Sequence, residues 1–409
     1  MKILIVSQYF QPESFRINEL ALTLQESGHQ VSVLTGKPNY PDGEIFPGYR
    51  AWGCSREEWS GIKIYRVPLI ARGNRNAVKL ALNYLSFIVS GLAFAPWLLR
   101  RQNYDAILVF APSPIFQAIP ASFLGWIKHC PVALWVQDLW PESAQATGYI
   151  NNPWILKLLE SVVRFVYRHT DLLLVQSTAF HEPVAKLACG KSIKYYPNSV
   201  DFAFYSPPDI PLPDIVGLAG KFPVLFAGNV GVGQAVEVIV QAAEILRDYP
   251  DIHFVVLGKG SRWEWMREQV ETRALNNVHL AGRYPVETMP GLMRQAAALL
   301  VTLADQPIFA ATIPSKVQAY MAVGRPILAC LNGEGARLVS EANAGLAVPA
   351  EDAAALADAI LRLYRMPAAE REEIGQNGRA YFREHFDHDR LAEQLVEHLH
   401  ELTLSFGEN

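Results

Sequence analysis

Residues Val224–Gln241, VLFAGNVGVGQAVEVIVQ, set an apolar run, three closely spaced glycines and the start of a helix in one unbroken stretch. The run Val224-Leu225-Phe226-Ala227 does not alternate, which is how a parallel strand reads when both of its faces are covered. Gly228, Gly231 and Gly233 then let the backbone turn tightly, and the first amides of the helix face any anion held there. The stretch is a phosphate cradle if neighbouring segments bring cations to it, and an ordinary strand-to-helix turn if they do not.

The surrounding sequence repeats that pattern in two tandem halves. Strands are predicted at Lys2–Ser7, Gln30–Thr35, Ala106–Phe110, Val132–Val136 and Leu172–Gln176, with a helix over Arg16–Ser27. Between Pro197 and Pro223, the prolines at 207, 208, 211 and 213 exclude a helix or a central strand. Alternation then restarts with strands at Val224–Ala227, His253–Leu257, Val278–Leu280, Ala298–Thr302 and Pro326–Ala329, and helices over Ala235–Asp248 and Ser315–Ala322. Strands alternating with helices imply parallel sheets, so the expected fold class is α/β with two doubly wound, Rossmann-like domains. The boundaries read as 1–197 for the first domain, 198–222 for a linker, 223–385 for the second domain, and 386–409 for a closing helix. In that helix Leu391, Leu395, Leu399 and Leu402 recur at helical spacing, and it is expected to cross back over the domain seam. Paired domains of this kind carry ligands at the carboxyl ends of their strands, which suits transfer of a group between two substrates across an interdomain cleft.

Composition narrows the function further. Of 409 residues, half are hydrophobic and 19% are charged, enough to bury two cores. A net charge of -4 argues against a protein that coats nucleic acid. Cys54, Cys130, Cys189 and Cys330 are scattered and form no metal-type pair, and MKILIVSQYF reads as a strand, so the expected setting is a reducing cytoplasm.

Candidate cations lie close to the cradle in this scheme. The second strand of the later half ends in Gly258-Lys259-Gly260, where a dinucleotide-binding domain would carry an acid for the ribose. A lysine there fits a phosphate or is a solvated turn residue. Arg283 follows the short strand at Val278 and serves either a ligand or a surface ion pair. In Thr312-Ile313-Pro314-Ser315-Lys316, Pro314 closes a loop, Ser315 is placed to cap the next helix, and Lys316 falls in a first turn. The helix dipole disfavours a cation there, so Lys316 calls for an anionic neighbour. Glu334, in Gly333-Glu334-Gly335, is an acid that could accept sugar hydroxyls.

Taken together, Pro197-Asn198-Ser199-Val200-Asp201, the turn Gly228–Gln234, Gly258–Gly260 and Pro314–Pro326 (PSKVQAYMAVGRP) resemble the two-domain retaining glycosyltransferases of family 4 (group 1). Tyr9–Tyr49 and Asp138–Gly148 are similar to the bacterial branch that builds O-antigen, capsule and exopolysaccharide, and the resemblance covers nearly the whole chain. It implies a GT-B type fold and a metal-independent enzyme without a cofactor, whose substrate is a nucleoside diphosphate sugar, UDP-sugar before GDP-sugar. It implies hexosyl or N-acetylaminosugar transfer to a lipid-linked or saccharide acceptor, with no nucleic acid involved. The family's loop arginine and lysine fall on Asn229 and Gln234, and its two glutamates on Ala310 and Gln318. Lys316, Lys259 and Arg283 would then supply the missing positive charge, and Gln318 would bond the ribose diol. Gly228, Gly231 and Gly258 would shape the donor loop. On the acceptor side the resemblance leaves Asp138 as the catalytic candidate, because Gln137 stands where a histidine is common; Asp138 alternatively caps the following helix. Glu13 is a second acid there, as nucleophile or base.

Tyr84–Leu99, flanked by Lys79 and Arg100-Arg101 and preceded by Arg72 and Arg75, contains Pro96 and is short for a span. It is either a buried helix or a surface that dips into an anionic membrane at the inner face of the cell. Two other functions share the architecture: a nucleotide-sugar epimerase and a non-catalytic nucleotide-sugar-binding protein.

Overall fold

The computed structural model describes residues 1–73, 77–146, 152–200, 202–205, 208–220 and 222–407. Arg75, Gly148, Asp201 and Pro207 of the reading above lie outside the described residues. The chain divides into two compact units, Met1–Pro197 with His388–Asn409, and Asn198–Asp387.

In the first unit the strands are β1 (Lys2–Val6), β2 (Gln30–Thr35), β3 (Ser55–Trp59), β4 (Ile62–Arg66), β5 (Ala106–Ala111), β6 (Val132–Val136), β7 (Leu172–Val175) and β8 (Ser192–Tyr195). They form one sheet in the order β3-β4-β2-β1-β5-β6-β7-β8. Ile3 pairs with Val31 on one side and Ala106 on the other, both parallel, whereas β3 joins β4 antiparallel. The central strands β1, β5 and β6 are buried along almost their whole length, as their unbroken apolar runs require. The helices used below are α1 (Arg16–Glu26), α2 (Ala77–Leu98), α3 (Ala118–Lys128) and α4 (Pro153–Arg168).

The second unit has six strands, β9 (Phe222–Ala227), β10 (Ile252–Leu257), β11 (Val278–Gly282), β12 (Ala298–Thr302), β13 (Ile327–Cys330) and β14 (Gly345–Val348). Their order is β11-β10-β9-β12-β13-β14, with every pairing parallel. The strand order turns back at β9, so the carboxyl ends of β9, β10 and β12 are where a doubly wound sheet opens for a ligand. Helices α5 (Glu237–Ile245), α6 (Ser315–Val323) and α7 (Glu334–Glu341) follow β9, β12 and β13. The stretch 198–222, expected to link two domains, gives Val200, Phe204, Ile215 and Leu218 to this unit's core. Its prolines prevent regular structure but leave those apolar side chains free to pack.

Helix α8 (His388–Gly407) returns the chain to the first unit. Leu391, Leu395, Leu399 and Leu402 all enter the core that α1 covers with Ile17, Leu20 and Leu24. Tyr196 Oη donates to the Leu391 carbonyl (3.0 Å), and His388 Nε2 meets Thr23 Oγ1 (2.8 Å). The closing helix is therefore part of the first unit's hydrophobic core.

Candidate functional site

Two glycines bring the ends of β9 and β10 into contact. Gly228 has φ +133° and Gly258 φ +145°, a region closed to most side chains. A Cβ on Gly258 would fall 1.7 Å from the Gly228 carbonyl oxygen, which leaves no room for any other residue. Gly228 N–H donates to Leu257 O (2.8 Å), Gly258 N–H to Gly282 O (2.7 Å), and Val230 N–H to Lys259 O (3.2 Å). The three strand ends are thereby stitched into one rim. That rim encloses a cavity of about 300 Å³ lined by Gly228, Asn229, Leu257, Gly258, Lys259 and Arg283, and further by Tyr284, Val286 and Met289.

The lining divides by chemistry. Leu257, Tyr284, Val286 and Met289 offer an apolar wall, while Asn229, Lys259 and Arg283 offer donors. Lys259 and Arg283 are exposed, and neither pairs with a carboxylate among the described residues. The surface ion pair considered for Arg283 is absent there. Lys259 Nζ lies 5.9 Å from the Trp263 ring centroid, a cation–π contact that holds its stem at the rim.

Lys316 occupies a different position from the one its sequence context suggested. From the first turn of α6 it reaches beneath Gly228, where a Cβ on the glycine would come within 2.5 Å of Lys316 Cε. Its Nζ donates to Gln234 Oε1 (2.5 Å) and sits 3.9 Å from the Phe226 ring centroid. The partner is a neutral amide where an anion was expected. With no carboxylate beside it, burial lowers the ammonium's pKa to about 7. Gln234 in turn is fixed by its own carbonyl, which accepts from the Thr302 hydroxyl. Gly231 leads into the one-turn helix Val232–Gln234, and a Cβ there would meet Asn229 Nδ2 at 2.6 Å. Helix α5 begins two residues later than the sequence implied, at Glu237, whose carboxylate pairs with Arg262 (2.5 Å).

Three other expectations need correction or refinement. Ser315 does not cap α6: the cap position is Pro314, with no side-chain hydrogen bond. Gln318 is buried; its Nε2 donates to the Asn198 carbonyl (2.7 Å), and its Oε1 has no hydrogen-bond partner among the described residues. Glu334 opens α7 with both oxygens bonded by Arg337, Nε at 3.1 Å and Nη2 at 3.0 Å, and lines no part of the cavity. Tyr284, Val286 and Met289 went unnoticed in the sequence. They lie within the short stretch that follows Gly282-Arg283, so extending the strand-end rule by a few residues would have found them.

In the first unit, β6 delivers Asp138 at its carboxyl end. The carboxyl accepts no hydrogen bond among the described residues, so it does not cap the helix Glu142–Ala146. Burial pushes its pKa up to about 6. Glu13 is nearly inaccessible and already committed: Oε1 accepts from Asn39 N–H (2.8 Å) and Tyr40 N–H (2.7 Å), and Oε2 from Phe10 N–H (3.2 Å). Burial lifts its pKa to about 7 against the pull of those amides. Its visible work is to clamp the loop after β2 to the end of β1.

Comparison with known proteins places this geometry. Residues 221–366 match the family described as glycosyl transferases group 1, and residues 14–197 match the glycosyl transferase 4-like domain. The chain is built from glycosyltransferase domains. A relative in Escherichia coli (strain K12), named as a colanic acid biosynthesis glycosyl transferase, WcaI, is 26% identical over 340 residues, 79% of this chain and 82% of its own. WbjE of Pseudomonas aeruginosa, named as a glycosyltransferase, is 24% identical over 302 residues, 70% of this chain and 72% of its own. Among solved structures, sucrose-phosphate synthase from Thermosynechococcus elongatus superimposes with TM-score 0.73 at 16% identity, covering 99% of each chain. Anabaena Alr3699/HepE, crystallised with UDP-glucose, gives TM-score 0.64 at 14% identity over 98% of this chain and all of that one. The fold of this glycosyltransferase is GT-B, with two Rossmann-like domains on parallel sheets.

Proposed function

We propose that this glycosyltransferase belongs to family 4 and moves a hexosyl or N-acetylaminosugar residue, with retention and without a metal, from a nucleoside diphosphate sugar to a lipid-linked or saccharide acceptor. Its setting is bacterial surface polysaccharide assembly at the cytoplasmic face of the membrane, in the branch that makes O-antigen, capsule or exopolysaccharide. The relatives named for colanic acid biosynthesis and as WbjE support that setting.

The single observation that carries the donor assignment is the cavity at the ends of β9, β10 and β11, lined by both apolar side chains and cations. A nucleobase packs against Tyr284, Val286 and Met289, while the diphosphate takes Asn229, Lys259, Arg283 and the backbone around Gly228 and Gly258. UDP is the preferred nucleotide, as in the complex of Alr3699/HepE. Lys316 and Gln234 underlie the same loop. As the bond to the sugar breaks, charge grows on the departing diphosphate, and the Lys316 ammonium beneath the loop offsets it. Gln318 and Glu334 serve the donor only indirectly, Gln318 by holding the Asn198 carbonyl and Glu334 by its pairing with Arg337 at the start of α7, where a Cβ on Gly335 would meet Pro314 Cδ at 3.0 Å. On the acceptor side Asp138, which accepts no hydrogen bond among the described residues and whose pKa burial raises to about 6, is the catalytic acid or base, and Glu13 positions the loop beside the end of β1.

A thermal-shift panel of nucleotides and nucleotide sugars tests the donor assignment, because a ligand that binds only the folded chain raises its melting temperature. UDP-sugars should give the largest shifts. An unshifted melting temperature with every nucleotide would refute it.

A further inference from the structure

A second cavity lies in the first unit and shares no lining residue with the donor cavity. It measures about 100 Å³ and is lined by Arg56, Tyr65, Leu98, Arg100, Arg101 and Gln102, with no carboxylate in its wall. Arg56 donates to Leu98 O (3.2 Å) and Arg100 to Trp97 O (2.9 Å), so the last carbonyls of α2 hold two guanidinium groups at this wall. Arg101 is exposed and has no ion-pair partner among the described residues. Planar guanidinium groups gathered without a counter-charge match the oxygens of a phosphate group.

The helix that ends at this pocket is apolar on almost every side. Asn83, Phe87, Gly91 and Ala95 form its buried stripe at intervals of one helical turn. Val78, Leu82, Leu85, Val89, Phe94 and Trp97 face solvent, Val89 at 64% and Trp97 at 56% exposure. An 18-residue window within Val78–Leu98 has a mean hydropathy of 1.6, yet only 22% of that window is buried. The alternative of a buried core helix therefore does not describe α2. A continuous exposed apolar face of this length on a folded domain marks a contact surface.

Helix α3 extends that face. A Cβ on Gly91 would meet Pro120 Cβ at 2.8 Å, and Lys128 Nζ donates to Leu99 O (2.8 Å). The same sequence offset relates both pairs, so α2 and α3 run parallel, and Trp97 and Trp126 stand at one level. Trp126 is 73% exposed. Lys79, Arg100, Arg101 and Lys128 are the charged residues of the two helices and the turn after α2, and all are positive. Two exposed tryptophans at one level beside clustered cations are the composition of a surface seated at lipid headgroups.

We propose that α2, with the carboxyl end of α3, docks on an anionic bilayer, with a lipid phosphate held in the pocket of Arg56, Arg100 and Arg101. The inference deepens the lipid-linked acceptor reading and rests on it for the place of the reaction. Because its buried stripe is fixed to the protein, α2 lies along the membrane and does not cross it. Asn83 in that stripe accepts from Gln8 Nε2 (2.6 Å) and donates to Asn39 Oδ1 (3.2 Å), in the two segments that Glu13 clamps. Docking thus brings the strand ends of the acceptor-side unit to the bilayer where a lipid-tailed acceptor resides.

Flotation of the full chain with vesicles, without donor or acceptor, tests this independently of catalysis. Vesicles of phosphatidylcholine containing phosphatidylglycerol should carry the protein at low salt, and pure phosphatidylcholine much less. The double variant Arg100→Ala/Arg101→Ala should lose about 25-fold in affinity, at roughly fivefold per basic residue. Trp97→Ser/Trp126→Ser should lose a comparable factor, while the nucleotide-induced thermal shift of both variants stays at the parent value. Slowed amide exchange over 85–97 of the unmodified chain when vesicles are added should agree. The proposal is overturned by an unmodified chain that stays off anionic vesicles, by variants that float as well as the parent, by free inorganic phosphate competing fully at millimolar concentration, or by a dimer whose dissociation accompanies the tryptophan changes without lipid binding.

Discussion

Lys316 Nζ and Gln234 Oε1 lie 2.5 Å apart beneath Gly228, so a cation from the start of α6 and an amide from the turn after β9 form one unit at the donor loop. The pair brings a charge to that loop's underside from a helix that follows β12. A lysine whose neighbours are a ring, a glycine backbone and an amide carries its charge weakly, and a diphosphate would restore it.

Removing that charge should weaken the nucleotide first. Lys316→Ala is expected to lower UDP affinity by about 10- to 100-fold, the usual range for a hydrogen bond to a charged group. Titration calorimetry measures it. A change of less than twofold would show that Lys316 is structural.

The same lysine makes stability depend on pH with a definite sign. Its folded pKa is lowered from 10.5 to about 7, so between those values the unfolded chain holds the extra proton and folding becomes more favourable as pH rises. Lys316→Met removes this penalty. The variant should melt above the parent at pH 6, with the gap closing toward pH 10. An equal gap at both ends would mean that packing and not ionisation is responsible.

Asp138 carries the opposite chemistry and the same kind of linkage. Its folded pKa is raised from 3.8 to about 6, so its contribution to stability is complete below pH 4 and is lost as pH climbs through 6. Asp138→Asn should therefore be the more stable protein at pH 7 to 8 and indistinguishable near pH 4. Transfer should fall by about 10²- to 10⁴-fold, the scale of general acid–base catalysis. Parallel melting curves and a product assay separate the two effects; full transfer by the variant would remove Asp138 from the chemistry.

Gly258→Ala tests the cradle by shape alone. A methyl group 1.7 Å from the Gly228 carbonyl, at φ +145°, has no flexible neighbour to displace. A loss of roughly 3 kcal/mol in unfolding free energy, together with nucleotide binding, is expected for strain and overlap of this kind. Denaturant unfolding reads the first and calorimetry the second.

Much of this arrangement could be read from residue order, and the gaps have physical causes. The buried strands declared themselves because both faces are apolar, as at Ile3–Val6 and Leu225–Ala227. Strand β3, Ser-Arg-Glu-Glu-Trp, did not: it is an edge strand with charges on its exposed face, and charged alternation carries little hydrophobic signal. β14 is short and only partly buried. The glycines at 228 and 258 were legible as a pair of turns, but not their mutual contact, which depends on β9 and β10 being neighbours. Burial of Lys316 was hidden for the same reason, since Phe226 and Gly228 lie far from it along the chain. Glu334 was offered for sugar hydroxyls, yet Arg337 stands three residues on along the same helix and takes both its oxygens, a local i,i+3 pairing that the isolated Gly333-Glu334-Gly335 pattern does not display.

Titration of the full chain with UDP, in parallel with Gly258→Ala and Arg283→Ala, tests most directly whether the cavity of the second unit holds the donor. One nucleotide per chain should bind the parent, with Arg283→Ala weaker and Gly258→Ala silent. A parent that binds no nucleoside diphosphate, or two variants that bind it as the parent does, would contradict the account.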